Sequence, residues 1–171
     1  MKIAVACPYL CQYDNVLYPG GSCNMTSLGM VLDAHKCHVA GPHSRTPDNL
    51  LQYCDDNGLD RHSLDVIAQV SRHFGLGDEA SYHGNFEQLK AHLRAGGLAI
   101  VQGTFTASGH VIVVRGFDPD AGTWLCNDPA GHYPHYSNPG WESGEGVSYP
   151  SEWFRAHAAP DGLIWLHLLH K

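Results

Sequence analysis

The chain has 171 residues, 43% of them hydrophobic, which is enough for one packed core and excludes global disorder. A formal net charge of -7 with no basic run excludes nucleic-acid binding through clustered Lys and Arg, and disfavours tight adsorption to anionic surfaces. No apolar run reaches the ~20 residues of a membrane span, so a single monomeric domain over residues 1–171 is expected.

The opening MKIAVACPYLCQ carries one Lys and a short apolar stretch broken by Pro8. That is too short for a secretory signal, so the chain is expected to be made in the cytoplasm, acting on a cell wall only after release by another agent. The six cysteines (Cys7, Cys11, Cys23, Cys37, Cys54 and Cys126) are then expected as reduced thiols rather than three disulfides. Residues 1–21 read as an extended arm ending in the turn Pro19-Gly20-Gly21.

From Ser22 the pattern turns helical, with Met25, Leu28, Val31 and Leu32 at offsets of three and four. Ser22 is a candidate N-cap, which puts Cys23 in the first turn. Two more helices are predicted over residues 47–57, opened by Pro47-Asp48, and 63–74, capped by Ser63. A fourth runs from Asn85 to Arg94 and stops at Gly96-Gly97. Then the pattern changes: LAIVQG, HVIVVRGF, TWLCND and a late GLIWLHLLH are short, β-branched or aromatic, and read as strands. Residues 129–149, rich in Gly, Pro, Tyr, His and Ser, read as one long irregular loop. Helices followed by a mostly antiparallel sheet make an α+β arrangement.

A helix N-terminus stabilises a thiolate through its free N–H groups and dipole, and Cys23 is expected at such a terminus. The alternative is a buried structural cysteine. Cys126 lies inside a predicted strand, Cys54 on a helix, and Cys7 and Cys11 flank Pro8-Tyr9 with no base evident nearby. His110 opens an apolar strand straight after Gly109, where a rigid strand end can present an imidazole to a cleft. It is also one of thirteen histidines, most of which belong on the surface. If HVIVVRGF and TWLCND pair through DPDAG, the turn centres near residue 120 and residue 110 faces roughly residue 130. Asp128 then falls close to His110 and can fix its tautomer. Asp-Pro turn chemistry is the plain alternative, and Asn127 is a rival orienter that strand alternation turns to the other face. A cysteine at a helix start, then a histidine strand, then an acid one hairpin later, is the chain order of papain-like enzymes.

GSCNMTSLGMVL, FTASGHVIVVRGFD and NDPAG resemble the cysteine peptidases related to the double-glycine leader peptidases of bacteriocin exporters, from about Tyr9 to Asp128. The resemblance implies a papain-like fold, with the helical part carrying Cys23 packed on the sheet carrying His110 and Asp128. It also implies an oxyanion role for Gln12, the match to the family's upstream glutamine. Ten residues separate Gln12 from Cys23, more than in the leader peptidases, so a loop from Asp14 to Gly21 must bulge out.

Those relatives are fused to membrane transporters and no transporter follows here, which shifts the expectation toward a stand-alone hydrolase of peptide or amide bonds. Peptidoglycan is the expected substrate, as for a phage endolysin or a bacterial autolysin. An idle peptide- or wall-binding module on the same fold and a cysteine acyltransferase are the competing readings. The partner expected is a peptide or peptidoglycan, with no nucleic acid and no membrane. No cofactor and no metal are expected, because His35-Lys36-Cys37-His38 and the Cys7/Cys11 pair lack zinc-site spacing. In the long loop, Tyr133, Tyr136, Trp141 and Tyr149 line a substrate groove or pack locally, and His132 and His135 are expected to be solvated.

Overall fold

A computed structural model describes residues 1–134 and 142–171. Among the described residues seven strands form one sheet: β1 (Ile3–Ala4), β2 (Gly77–Gly84), β3 (Leu98–Gly103), β4 (His110–Asp118), β5 (Thr123–Asn127), β6 (Val147–Pro150) and β7 (Ile164–His170). Their order is β2-β7-β3-β4-β5-β6, with β1 beside β4. Every pairing is antiparallel.

The helices α1 (Cys23–Ala34), α2 (Thr46–Asp56) and α3 (Leu64–His73) share one core with Leu98, Ile100, Val111, Val113 and Leu169. The other sheet face packs Ala99, Val101, Ile112, Val114 and Cys126 against α4 (Phe86–Arg94) and α5 (Ser151–Ala158). Residues 24–32 of α1 are all buried, so this helix lies inside the protein with its first residue, Cys23, half-buried at its rim. α4 begins with a full capping box, the Asn85 side chain accepting from Gln88 N–H while the Gln88 side chain accepts from Asn85 N–H.

The α+β expectation holds, and α1 to α4 lie close to their predicted spans. Three elements escape the sequence pattern. β2, GDEASYHG, is an edge strand with much of its length in contact with water, so it lacks an apolar signature. β6 closes the segment expected to be loop to residue 149, and α5 follows it directly. The arm is also less extended than expected, because β1 joins the sheet and Gln12–Asp14 form a 3-10 turn. Ser22 and Ser63 do precede their helices, but neither side chain caps. Ser22 Oγ instead accepts from Asn15 Nδ2 at 3.0 Å.

One bulge decides which way the acid faces. At the hairpin end Gly116 pairs with Leu125, whereas beyond the irregularity Val114 pairs with Cys126 and Val113 with Asn127. Arg115 is the extra residue. Had the first register continued, residue 128 would face Val113 and point toward α1. With the bulge it faces Ile112, on the same side as His110, because a one-residue slip exchanges the two faces. Arg115 is held by the residue that follows β1: Val5 N–H donates to its carbonyl at 2.7 Å, and its Nε donates to the Val5 carbonyl at 2.9 Å. Gly116 lets β1 approach, since a Cβ there would lie 2.1 Å from the Ile3 carbonyl oxygen.

Candidate active site

Cys23 is the first residue of α1 and His110 the first of β4. One turn along α1, Ser27 Oγ donates to the Val111 carbonyl at 3.2 Å, tying the helix to the strand next to the histidine. The Cys23 thiol and the His110 ring interact closely enough for each to shift the other's ionisation. His110 Nε2 donates to Asp128 Oδ1 at 2.7 Å, which leaves Nδ1 for the sulfur. His110 is 4% exposed and Asp128 fully buried. The three sequence candidates therefore converge in one place.

Electrostatics favours charge separation between sulfur and ring. Burial alone pushes the Cys23 thiol up, but it is outweighed by the His110 hydrogen bond and charge and by hydrogen bonds from the backbones of Val111 and Asn24, so its pKa falls. Burial likewise pushes His110 down. The charge and hydrogen bond of Asp128, with the Cys23 interaction, override this and raise it to about 10. Burial drives other thiols the opposite way, Cys7 up to about 12, Cys54 to about 11, and Cys126 well above the usual cysteine value. All six cysteines are free thiols.

Asp128 is held from several sides. Tyr149, on β6, donates its hydroxyl to Asp128 Oδ2 at 2.7 Å, and Ala130 N–H donates to Oδ1 at 3.1 Å. The Asp128 backbone is fixed too: its N–H donates to the Gly144 carbonyl at 2.8 Å, and its carbonyl accepts from the Tyr9 hydroxyl at 2.9 Å. Gly144 is there by necessity, because a Cβ would sit 1.8 Å from the Asp128 carbonyl oxygen. Of the two readings for Tyr149, groove lining or local packing, the second holds: it is 2% exposed, with the His132 ring stacked on it at 5.7 Å. Only the β6 assignment, which the irregular composition hid, could have revealed its role.

Gln12 is 3% exposed and sits between the end of β5 and the start of α1. Its N–H donates to the Pro129 carbonyl at 2.8 Å. Three residues on, Asn15 Nδ2 donates to Ser22 Oγ at 3.0 Å and Thr26 Oγ1 at 2.8 Å, both at the start of α1. Arg45 braces the turn from α2's side, donating to the Cys11 carbonyl at 2.8 Å and to Asn15 Oδ1 at 3.1 Å. The Gln12 amide gives one hydrogen to the Pro19 carbonyl at 3.0 Å and keeps a second. The expected excursion of residues 14–21 is anchored outward, with Leu17 N–H on Asp48 Oδ1 at 2.9 Å and the Tyr18 hydroxyl on Asp55 Oδ2 at 2.8 Å. Tyr13, beside Gln12, was not singled out by the sequence pattern. Burial first, then the charges of Cys11, Asp128 and Cys23, raise its phenol pKa, so it lies within the field of the site.

Asn127 faces away, as strand alternation requires. Its Nδ2 donates to the Cys7 and Pro8 carbonyls, both at 3.2 Å, and its Oδ1 accepts from Gly146 N–H. His132 is not simply solvated, since it pairs with Glu142 at 2.5 Å. Tyr133 packs on Trp153, ring centroids 4.7 Å apart. Tyr136, Trp141 and His135 lie outside the described residues. Among the described residues no three His, Cys, Asp or Glu side chains gather as a metal-holding group, and no helix is long and apolar enough to cross a membrane.

Comparison with solved structures gives the fold. Over the whole chain it superposes on a double glycine motif protease from an AMS/PCAT transporter, solved with its leader peptide, with TM-score 0.61, 21% identity and 99% of that chain covered. A protein from Bacillus anthracis described as a C39-like peptidase gives TM-score 0.67 at 14% identity, with 100% of this chain and 98% of that chain covered. No curated protein matches the chain significantly. The Peptidase_C39 like family model matches residues 5–150, a span that takes in Gln12, Cys23, His110, Asp128 and Tyr149. With most of its length matched and a papain-like fold around a polarised thiol, the chain belongs to the Peptidase_C39 like family of cysteine hydrolases.

Proposed function

We propose that the chain hydrolyses a peptide or amide bond through a thioester on Cys23. The observation that carries this is the meeting of Cys23 with His110, itself hydrogen-bonded to Asp128 at 2.7 Å, with the thiol pKa lowered and the imidazole pKa raised. Cys23 Sγ attacks the carbonyl carbon, and His110 gives its proton to the leaving amine. His110 then takes a proton from water as the water attacks the thioester, and the acid product leaves with Cys23 restored. Asp128 holds the ring and stabilises its charge.

Gln12 donates its second amide hydrogen to the tetrahedral oxyanion, together with the Cys23 N–H, which the helix start leaves without an intrahelical acceptor. One such donor is worth ~3 kcal/mol, so Gln12→Ala should lower kcat about 100-fold.

The substrate form proposed is a peptide, a reading supported by the similar double glycine protease, which was solved with a leader peptide. The finer proposal is a bond in the peptide part of peptidoglycan, cleaved as by an endolysin or autolysin. Purified peptidoglycan incubated with the protein should release fragments detectable by mass spectrometry, and Cys23→Ala should release none while remaining folded. Equal release by Cys23→Ala would remove the cysteine mechanism. Release from neither protein, with cleavage of unrelated peptides by the wild type, would remove only the wall substrate. An acyltransferase shares the thioester. It would be recognised by transfer of the acyl group to an added amine in preference to water.

A further inference from the structure

A cavity of about 310 Å³ opens beside the candidate base. Gly109, in its wall, directly precedes His110, and Gly103, also in the wall, is the register partner of His110 on β3. An extended peptide advances about 3.3 Å per residue, so one held at Cys23 reaches this cavity within a residue or two of the scissile bond. Apolar surface lines the far side, where Leu163 and Trp165 remain 40% and 44% exposed beside Pro160. Such large apolar side chains gathered in a concavity next to reacting groups mark a ligand-binding wall.

The charge of the lining has one sign. Asp161 is its sole charged side chain among the described residues, and no Lys or Arg lines it. The lining thus combines apolar walls, an aromatic face and a carboxylate. The complementary group is a long aliphatic stem ending in a primary ammonium, whose methylenes cover Leu163 and Trp165 while its head reaches the Asp161 carboxylate.

We propose that this cavity is a substrate subsite for a lysine-like side chain close to the scissile bond. The assignment rests on the cysteine-hydrolase reading above and deepens it by naming a substrate residue. An acidic side chain is repelled by Asp161, and glycine leaves the apolar wall uncovered.

The test uses the whole chain, 15N-labelled, titrated with Nα-acetyl-lysinamide, Nα-acetyl-norleucinamide and Nα-acetyl-glutamamide acid. The lysine probe should shift the Gly103 and Gly109 amides and the Trp165 indole N–H, and bind about tenfold tighter than norleucine, the scale of one partly exposed cation–π contact plus one ion pair. Asp161→Asn keeps the acceptor that caps Leu163 N–H at 3.1 Å, and should cut the lysine affinity about fivefold without changing norleucine. Trp165→Ala should weaken both probes. Equal binding of lysine and norleucine, or no shift at these residues, overturns the proposal. A randomised peptide library then separates the two readings. If no peptide is cleaved while lysinamide still fills the cavity, the hydrolase roles fall, the substrate assignment falls with them, and only a lysine-binding cavity is left. If peptides are cleaved with no lysine preference on either side of the bond, the subsite falls and the hydrolase roles stand.

Discussion

At Asp128 every oxygen is occupied: Oδ1 by His110 and Ala130, Oδ2 by Tyr149, and the carbonyl by Tyr9. A carboxylate satisfied in this way keeps one orientation and shares its negative charge between the imidazole and the phenol. Tyr149 is accordingly a positioning residue. Tyr149→Phe should lower kcat/KM about tenfold, the scale of one hydrogen bond to a charged group. The same change leaves Asp128 a stronger acceptor, which binds the imidazolium proton more tightly. The alkaline limb of the pH–rate profile, where His110 loses its proton near pH 10, should therefore move upward. A loss of rate with an unmoved limb would mean that Tyr149 supports only the fold. Asp128→Asn has the opposite sign: the charge that raises the His110 pKa is removed, and the alkaline limb should fall toward the ordinary histidine range near pH 6.5.

Between elements, the decisive feature is the bulge at Arg115 and the strand that seats it. Counting from the DPDAG turn places residue 110 opposite 130, and this proves right at the site for a reason the counting does not contain. The hairpin itself runs one residue out of that register, and the bulge restores it. Bulges follow from contacts distant in sequence, here β1 against Arg115 and Gly116, so local patterning cannot reveal them. Gly116→Ala places a methyl against the Ile3 carbonyl. It should displace β1, destabilise the chain by about 1–3 kcal/mol in urea unfolding, and slow Cys23 alkylation through loss of the Asp128 orientation. Normal stability with normal alkylation would show that β1 does not control the register. Cys23, His110 and Asp128 were legible because each marks an element boundary with its own chemistry: a glycine turn into a helix, a glycine into an apolar strand, and an Asp-Pro strand end. Tyr149 was not, since β6 is four residues long and lies within a stretch whose composition reads as loop.

Across the whole molecule, the sheet separates two cores, and the candidate pair Cys23 and His110 meets at its rim, where α1 begins and β4 begins. A second buried histidine–carboxylate pair, His167 Nδ1 with Asp78 Oδ2 at 2.8 Å, joins β7 to the edge strand β2. Asp78 was invisible in sequence because β2 carries no apolar alternation, whereas His167 lies in a strand the pattern does show. Both side chains are fully buried, so Asp78→Ala leaves an imidazole without its partner and should cost about 1–3 kcal/mol in global stability. The pH dependence of Cys23 alkylation should be unchanged, because no element of the thiol site is altered. A shifted profile would reveal coupling between the two pairs.

The most direct test of the central claim is the rate of Cys23 alkylation by iodoacetamide as a function of pH, read by mass spectrometry for each thiol. The ion pair predicts an ionisation at Cys23 below the ordinary cysteine value of about 8.5, with His110→Ala returning it to that value or higher. A wild-type Cys23 that titrates at or above the ordinary value, unmoved by His110→Ala, would contradict the pairing of these two side chains.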